Sequence, residues 1–269
     1  MNYPCTFTDQ MGHQITLPHL PRRIISLVPS QTELLFDLGL DDRIVGITKF
    51  CIHPTDQVKQ KPIVGGTKNF HFETIAQLRP DLIIGNKEEN YKEGIEQLQQ
   101  DYPVWMSDIY QLEEALQMMQ QLGELTSTEP KAAELVSTIK NRFADFTPAT
   151  PGISTAYFIW RKPYMAVGEN NIIDHMLQRC GFSNCFAHLA RYPEITTDQL
   201  RQANPLLILL SSEPYPFREK HITEFQELCP QALVKVVDGE MFSWYGSRLL
   251  QAPAYLEQVI KEVQQELSR

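Results

Sequence analysis

Three segments in the second half of the chain gather aromatic rings, cations and turn residues: Trp160-Arg161-Lys162-Pro163-Tyr164-Met165, Ser212-Glu213-Pro214-Tyr215-Pro216-Phe217 and Phe242-Ser243-Trp244-Tyr245-Gly246-Ser247-Arg248. Rings offer flat apolar surface, and guanidinium groups pair with carboxylates or phosphates. The chemistry on offer is therefore binding of a flat or bulky ligand with acidic groups, Arg161 and Arg248 meeting those groups. The plain alternative is that Trp160 and Trp244 only fill space beneath loops. The corresponding segments of the first half are poorer in rings: Thr48-Lys49-Phe50-Cys51, Gly65-Gly66-Thr67-Lys68-Asn69 and Gly85-Asn86-Lys87-Glu88-Glu89-Asn90. Gly65-Gly66 with Lys68 could approach a phosphate, but neither GxxxxGK[ST] nor GxGxxG is present, and a simple turn explains the glycines. Bond-making chemistry has little support. There is no GxSxG or HExxH. The seven histidines (His13, His19, His53, His71, His175, His188 and His221) offer no pair at ligand spacing on one helix, so no metal site is expected.

These segments need elements to position them, and a repeat supplies the frame. Phe72-Glu73-Thr74-Ile75-Ala76-Gln77-Leu78-Arg79-Pro80-Asp81-Leu82-Ile83-Ile84 is echoed by Thr197-Asp198-Gln199-Leu200-Arg201-Gln202-Ala203-Asn204-Pro205-Leu206-Leu207-Ile208-Leu209. Glu73 matches Asp198, Pro80 matches Pro205 and Ile83 matches Ile208, always at the same offset. Each copy reads as a short helix opened by a carboxylate, stopped near a proline and followed by a buried strand. Such a unit used twice implies two similar lobes.

Around the repeat the pattern alternates strand and helix. Residues 5–20 read as a hairpin turning at Asp9-Gln10-Met11-Gly12. Arg23–Val28 reads as a strand, Ser30-Gln31-Thr32-Glu33 as a capping box for a helix ending at Gly39, and Arg43–Ile47 as the next strand. Helical periodicity covers Leu112–Leu125 and then Thr128–Phe143, after which residues 147–152 break the chain. Thr155–Trp160, Ile172–Cys180, Leu233–Val237 and a terminal helix over 254–267 form a second set. All three aromatic segments follow strands of that set, where open α/β sheets bind ligands. The expected fold class is α/β: two similar Rossmann-like lobes with mostly parallel sheets, joined by one long helix, with the ligand cleft between the lobes. The expected boundaries are 1–125, 126–148 for the connecting helix, and 149–269. A helical connection crossing once would restrict hinge closure.

Bulk properties exclude several partners. The chain has 269 residues, 42% of them hydrophobic and 21% charged, with a formal net charge of −9. Without a basic patch, nucleic acid is not an expected partner, and no apolar run reaches the ~20 residues of a membrane-spanning helix. Five cysteines without CxxC spacing argue for reduced thiols, a Cys180–Cys185 bridge being the alternative. The N-terminal residues lack the pattern of a secretory signal. The protein reads as cytoplasmic as written, or periplasmic if a signal has been removed.

The opening hairpin followed by Arg22-Arg23-Ile24-Ile25-Ser26-Leu27-Val28-Pro29-Ser30-Gln31-Thr32-Glu33, together with Val64-Gly65-Gly66 and Asp81-Leu82-Ile83-Ile84, resembles the periplasmic-binding-protein family that serves cobalamin, haem and ferric-siderophore importers. The resemblance runs from about Thr6 onward and is nearest the cobalamin-binding, helical-backbone metal-receptor type. It implies a solute-binding protein of an ABC-type importer, acting as a monomer and requiring no cofactor, with a bound corrinoid, haem or ferric chelate as ligand. It implies ligand contacts at Phe50, Thr67, Lys68, Asn86, Trp160, Arg161, Tyr164, Tyr192, Tyr215, Trp244, Tyr245 and Arg248. At the positions of Thr67 and Asn86 the cobalamin binder carries tryptophans. Tyr192 likewise stands for a tryptophan, and Phe50 for a tyrosine, so corrin-stacking surface is reduced here. Glu73 and Asp198 match glutamates that dock permease arginines, one on each lobe. A cytoplasmic enzyme or ligand carrier on the same scaffold is the alternative.

Overall fold

The computed structural model describes residues 3–148 and 152–268; part of the expected break at 147–152 lies outside them. The chain forms two compact units. The first comprises Met1–Ile109, Glu113–Ile139 and Tyr245–Arg248, the second Tyr110–Leu112, Lys140–Trp244 and Leu249–Arg269.

In the first unit, β1 (Cys5–Thr8) and β2 (Gln14–Leu17) form the expected hairpin. Its turn is held by the buried Asp9, whose Oδ1 accepts from the amides of Met11 and His13. Then follow β3 (Ile24–Ser26), α1 (Pro29–Asp37), β4 (Ile44–Ile47), α2 (Thr55–Val58), β5 (Gly65–Gly66), β6 (Asn69–Phe70), α3 (Phe72–Leu78), β7 (Leu82–Asn86), α4 (Lys92–Asp101), β8 (Val104–Ser107), α5 (Leu112–Thr126) and α6 (Glu129–Ala144); Leu112 of α5 and Lys140–Ala144 of α6 are counted with the second unit. The main sheet has the order β4-β3-β7-β8, every pair parallel. β3, β7 and β8 are buried along their whole length, as strands covered on both faces must be.

The second unit contains β9 (Ile153–Trp160), β10 (Met165–Ala166), α7 (Ile172–Arg179), β11 (Phe182–Asn184), α8 (Thr197–Ala203), β12 (Leu207–Ser211), α9 (Ile222–Leu228), β13 (Leu233–Val237), α10 (Glu240–Ser243) and α11 (Ala252–Leu267). Its sheet runs β10-β9-β12-β13. β9, β12 and β13 are parallel, β11 adds to β9 in parallel, and β10 pairs with β9 antiparallel.

The repeat holds in detail. α3 and β7 stand in the same register as α8 and β12, and both helices end on a left-handed residue, Arg79 and Asn204, each at φ 46°. Both are followed by a buried proline, Pro80 and Pro205. A left-handed cap satisfies the last carbonyls, and proline cannot extend the helix, so the chain must turn into its strand.

One local expectation is corrected. The first long helix does not begin on a capping box at Ser30–Glu33. It begins at Pro29, with Val28 as N-cap and no side-chain cap. Proline suits the first helical position, where its missing N–H is not needed. Of the residues expected to cap the helix, Ser30, Gln31 and Thr32 are buried and Glu33 is half-buried, and the last three bond elsewhere. Thr32 donates to Ser26 Oγ at 2.7 Å and Gln31 to Ser107 Oγ at 2.6 Å. Glu33 accepts from Arg248. The expected stop at Gly39 is observed, at φ 78°. All five cysteines are free thiols, so no bridge joins Cys180 to Cys185; burial pushes both thiols up to about 12.

Candidate ligand-binding site

Each unit presents loops at the carboxyl ends of its parallel strands. In the first unit the loop after β4 carries Phe50, half exposed at 50%, with the Lys49 ammonium 5.1 Å from its ring centroid. The Phe50 ring lies against Gly66, where a Cβ would sit 3.2 Å from a ring carbon. A side chain there would press on the ring, so the glycine leaves room for Phe50 beside the β5–β6 ribbon. Thr67 is half-buried and its carbonyl accepts from Asn90. Lys68 is exposed and donates to the Glu88 carbonyl at 2.7 Å.

Asn86, at the end of β7, is buried, and its carboxamide is used by the chain itself. Nδ2 donates to Ser107 Oγ at 3.0 Å, and Oδ1 accepts from the amides of Glu88 and Glu89. Asn90 Oδ1 accepts from the Asn86 amide, and its Nδ2 reaches the Leu27 and Thr67 carbonyls. Gln31, Asn86, Asn90 and Ser107 thus form a buried polar frame holding the strand-end loops. Buried amides are stable only when bonded in this way. Of these only Asn86 was expected to line the site, because polar side chains in loops are common and their burial is decided by packing.

The segment Tyr245–Arg248 belongs to the first unit. Tyr245 is buried and its hydroxyl donates to Glu89 Oε1 at 2.8 Å, with burial pushing the phenol well above its ordinary range. Arg248 grips Glu33 with both ends of its fork, Nε to Oε2 at 3.0 Å and Nη2 to Oε1 at 2.6 Å. Gly246, at φ 154°, lies against the Ser30 carbonyl, where a Cβ would approach to 2.9 Å.

In the second unit, Trp160 ends β9 and remains 39% exposed, edge-to-face with Tyr215 at 5.7 Å. Behind this pair lies an aromatic cluster. Tyr215 contacts Phe217 and His221, and Phe217 contacts Phe225. Arg161 is paired to Glu224 of α9, with Nε–Oε2 at 2.9 Å and Nη2–Oε2 at 2.8 Å, and the Tyr164 hydroxyl donates to the same carboxylate. Burial works against the Glu224 charge, but the Arg161 and Tyr164 bonds outweigh it and hold its pKa below the ordinary value. Both guanidinium groups expected to meet ligand acids are therefore paired within the chain. Glu224 was missed by sequence, since it lies 63 residues from its partner.

Trp244 is buried, its Nε1 donating to Glu213 Oε1 at 2.8 Å, and Ser243 Oγ donates to the same oxygen at 2.8 Å. Burial raises the Glu213 pKa, the two donors lower it, and nearby Glu240 and Asp238 raise it further. The net shift is upward, so the folded state holds this proton more tightly than the unfolded chain. Its contribution to stability is full below the ordinary glutamate value of about 4.3 and is lost as pH rises through the folded value. Urea titrations of wild type and Glu213→Gln across that window should show a steeper loss of stability in the wild type. Parallel curves would contradict it. Tyr192 is half-buried in the loop before α8.

Among the described residues no group of three or more His, Cys, Asp or Glu side chains is arranged to hold a metal ion. No helix of the described chain is long and apolar enough to cross a membrane.

Comparison with known sequences completes the picture. A sequence profile described as periplasmic binding protein matches residues 24–234, well over half of the chain. The chain belongs to the periplasmic binding protein family. Among relatives, the vitamin B12-binding protein of Photorhabdus laumondii is 25% identical over 262 residues, covering 95% of this chain and 93% of its own. An uncharacterized ABC transporter substrate-binding lipoprotein of Bacillus subtilis is 26% identical over 214 residues, 76% of this chain and 68% of its own. Among solved structures, the periplasmic vitamin B12 binding protein of Vibrio cholerae has a TM-score of 0.75 at 22% identity, over 91% of this chain and 98% of that one. A periplasmic heme-binding protein in complex with two hemes has a TM-score of 0.78 at 22% identity, over 90% and 98%. These structural likenesses carry the two-lobed α/β fold of periplasmic binding proteins to this chain.

Proposed function

We propose that this periplasmic binding protein is the solute-binding component of an ABC importer, and that its ligand is a metal chelate or corrinoid-like compound of the cobalamin, haem or ferric-hydroxamate class. The observation that carries the reading is the pair of exposed rings. In each unit one aromatic side chain stands strongly exposed at the carboxyl end of a parallel strand, Phe50 at 50% and Trp160 at 39%. Large rings are ordinarily buried, and ligand sites of α/β sheets lie at this end. Relatives named for vitamin B12 and an ABC-transporter relative support the ligand class and the partner. On this reading the protein binds and delivers rather than converts, works outside the cytoplasmic membrane as a monomer, and needs no cofactor. It hands its ligand to a permease that it meets through Glu73 and Asp198.

Titration of the purified protein with cyanocobalamin, haemin and ferric hydroxamates is the direct test, with micromolar or tighter binding of at least one expected. For that ligand, Trp160→Ala and Phe50→Ala should each weaken affinity by about 2 kcal/mol, roughly thirtyfold. Both variants should keep the wild-type melting temperature, because the rings are exposed. Absence of binding to every class would remove the reading.

A further inference from the structure

We infer that the part of the ligand meeting the second unit carries hydrogen-bond donors, as carboxamide or ammonium groups, rather than carboxylates, and that Glu213 sets this preference. The inference rests on the solute-binding reading above and narrows its ligand class.

The argument begins with Arg161. Its guanidinium would be the natural partner of an acidic ligand edge, but Glu224 already occupies it through two nitrogens within 2.9 Å. The Tyr164 hydroxyl is aimed at the same carboxylate. A ligand carboxylate would have to displace an internal one already held in place, with no net gain in ion pairing.

Glu213 is in the opposite condition. It lies two residues before Tyr215, the ring that backs Trp160. Its Oε1 is fixed by Ser243 Oγ and Trp244 Nε1, both neutral donors, so the carboxylate is oriented without being neutralised. Among the described residues no Lys, Arg or His pairs with it, and Oε2 has no hydrogen-bond partner. Asp238 and Glu240 add negative potential nearby. A ligand N–H reaching the carboxylate beside Ser243 and Trp244 would find an oriented acceptor, whereas a ligand carboxylate would meet like charge, which interfaces use to exclude wrong partners. The cations at the first unit's strand ends, Lys49 and Lys68, have no carboxylate partner among the described residues.

The test uses two matched pairs of probes that share one body and differ in rim charge. Dicyanocobinamide, with its carboxamides, is set against dicyanocobyrinic acid, with carboxylates. Ferrioxamine B, with an ammonium terminus, is set against its N-succinyl derivative. In whichever pair binds, the donor-bearing member should bind the wild type at least about tenfold more tightly. Glu213→Gln should reduce that ratio to roughly threefold or less, mainly by improving the acidic member, which no longer meets like charge. Glu224→Gln, which frees Arg161, should improve the acidic member as well. The preference is overturned if the acidic member binds the wild type equally well or better, or if folded Glu213→Gln leaves the ratio unchanged. Binding of none of the four probes, nor of cyanocobalamin or haemin, overturns the solute-binding reading and this inference with it.

Discussion

Replacing Arg248 with alanine is expected to destabilise the protein by about 3 kcal/mol, at the low end of what breaking a buried ion pair costs. The pair is bidentate, and its side chains are only 9% and 13% exposed for Arg248 and Glu33. Removing the guanidinium leaves the Glu33 carboxylate largely out of water with its main partner gone. Burial already pushes the Glu33 pKa up against the pull of Arg248, so without the arginine this carboxyl should favour its neutral form still more strongly. The loss should therefore be larger at pH 8 than at pH 5. In a chain of this length it should lower the melting temperature by roughly 6–12 °C. A second change, Glu33→Gln, made in the Arg248→Ala background, should recover much of the loss, because it removes the stranded charge. Urea midpoints for the two single variants and the double variant decide the matter. An Arg248→Ala midpoint equal to wild type would show that this pair does not hold the Tyr245–Arg248 segment in place.

Reversing Glu73 and Asp198 together to lysine should abolish ligand uptake while leaving ligand affinity within about twofold. Both residues are exposed in the first turns of α3 and α8, equivalent elements of the repeat. Asp198 is 82% exposed and pairs with Arg201, 3.0 Å away on its own helix. Such an i,i+3 surface pair adds little stability and leaves the carboxylate available to a partner. If these carboxylates dock cationic permease groups as proposed, lysines in their place would put like charges at the contact, a penalty of several kcal/mol in interfaces generally. Uptake by membrane vesicles or cells supplied with the cognate permease, measured beside ligand titration of the same variant, separates docking from binding. Normal uptake by the double variant would leave the two carboxylates only their favourable interaction with the helix dipole.

Much of the frame was legible before any coordinates. The hairpin turn at Asp9–Gly12, the stop at Gly39 and the second strand–helix set all depend on residues within a few positions of one another. The repeat is the clearest case. Carboxylate, helix, left-handed cap, proline and apolar strand are consecutive, so their order is written in the chain, and Arg79 and Asn204 take the same backbone angles. The error at Ser30–Glu33 has the opposite origin. The capping pattern was present, but Pro29 could start the helix without it, and packing drew Gln31, Thr32 and Glu33 toward Ser107, Ser26 and Arg248.

The candidate site was half legible for the same reason. That aromatic and polar loops follow strands is a local fact, and Phe50 and Trp160 were named from it. Which rings stay exposed is not local. Trp244 and Tyr245 come from the same segment as Arg248, yet both are buried by carboxylates and walls that arrive from other elements. Glu224 reaches Arg161 across 63 positions, and Glu33 reaches Arg248 across 215. The sequence by itself determined the α/β alternation, the doubled unit and the strand ends at which a ligand would be met. Only the tertiary structure decided which charges remain available there. An ion pair depends on which helices the sheets bring side by side, and no pattern of neighbouring residues encodes that distance.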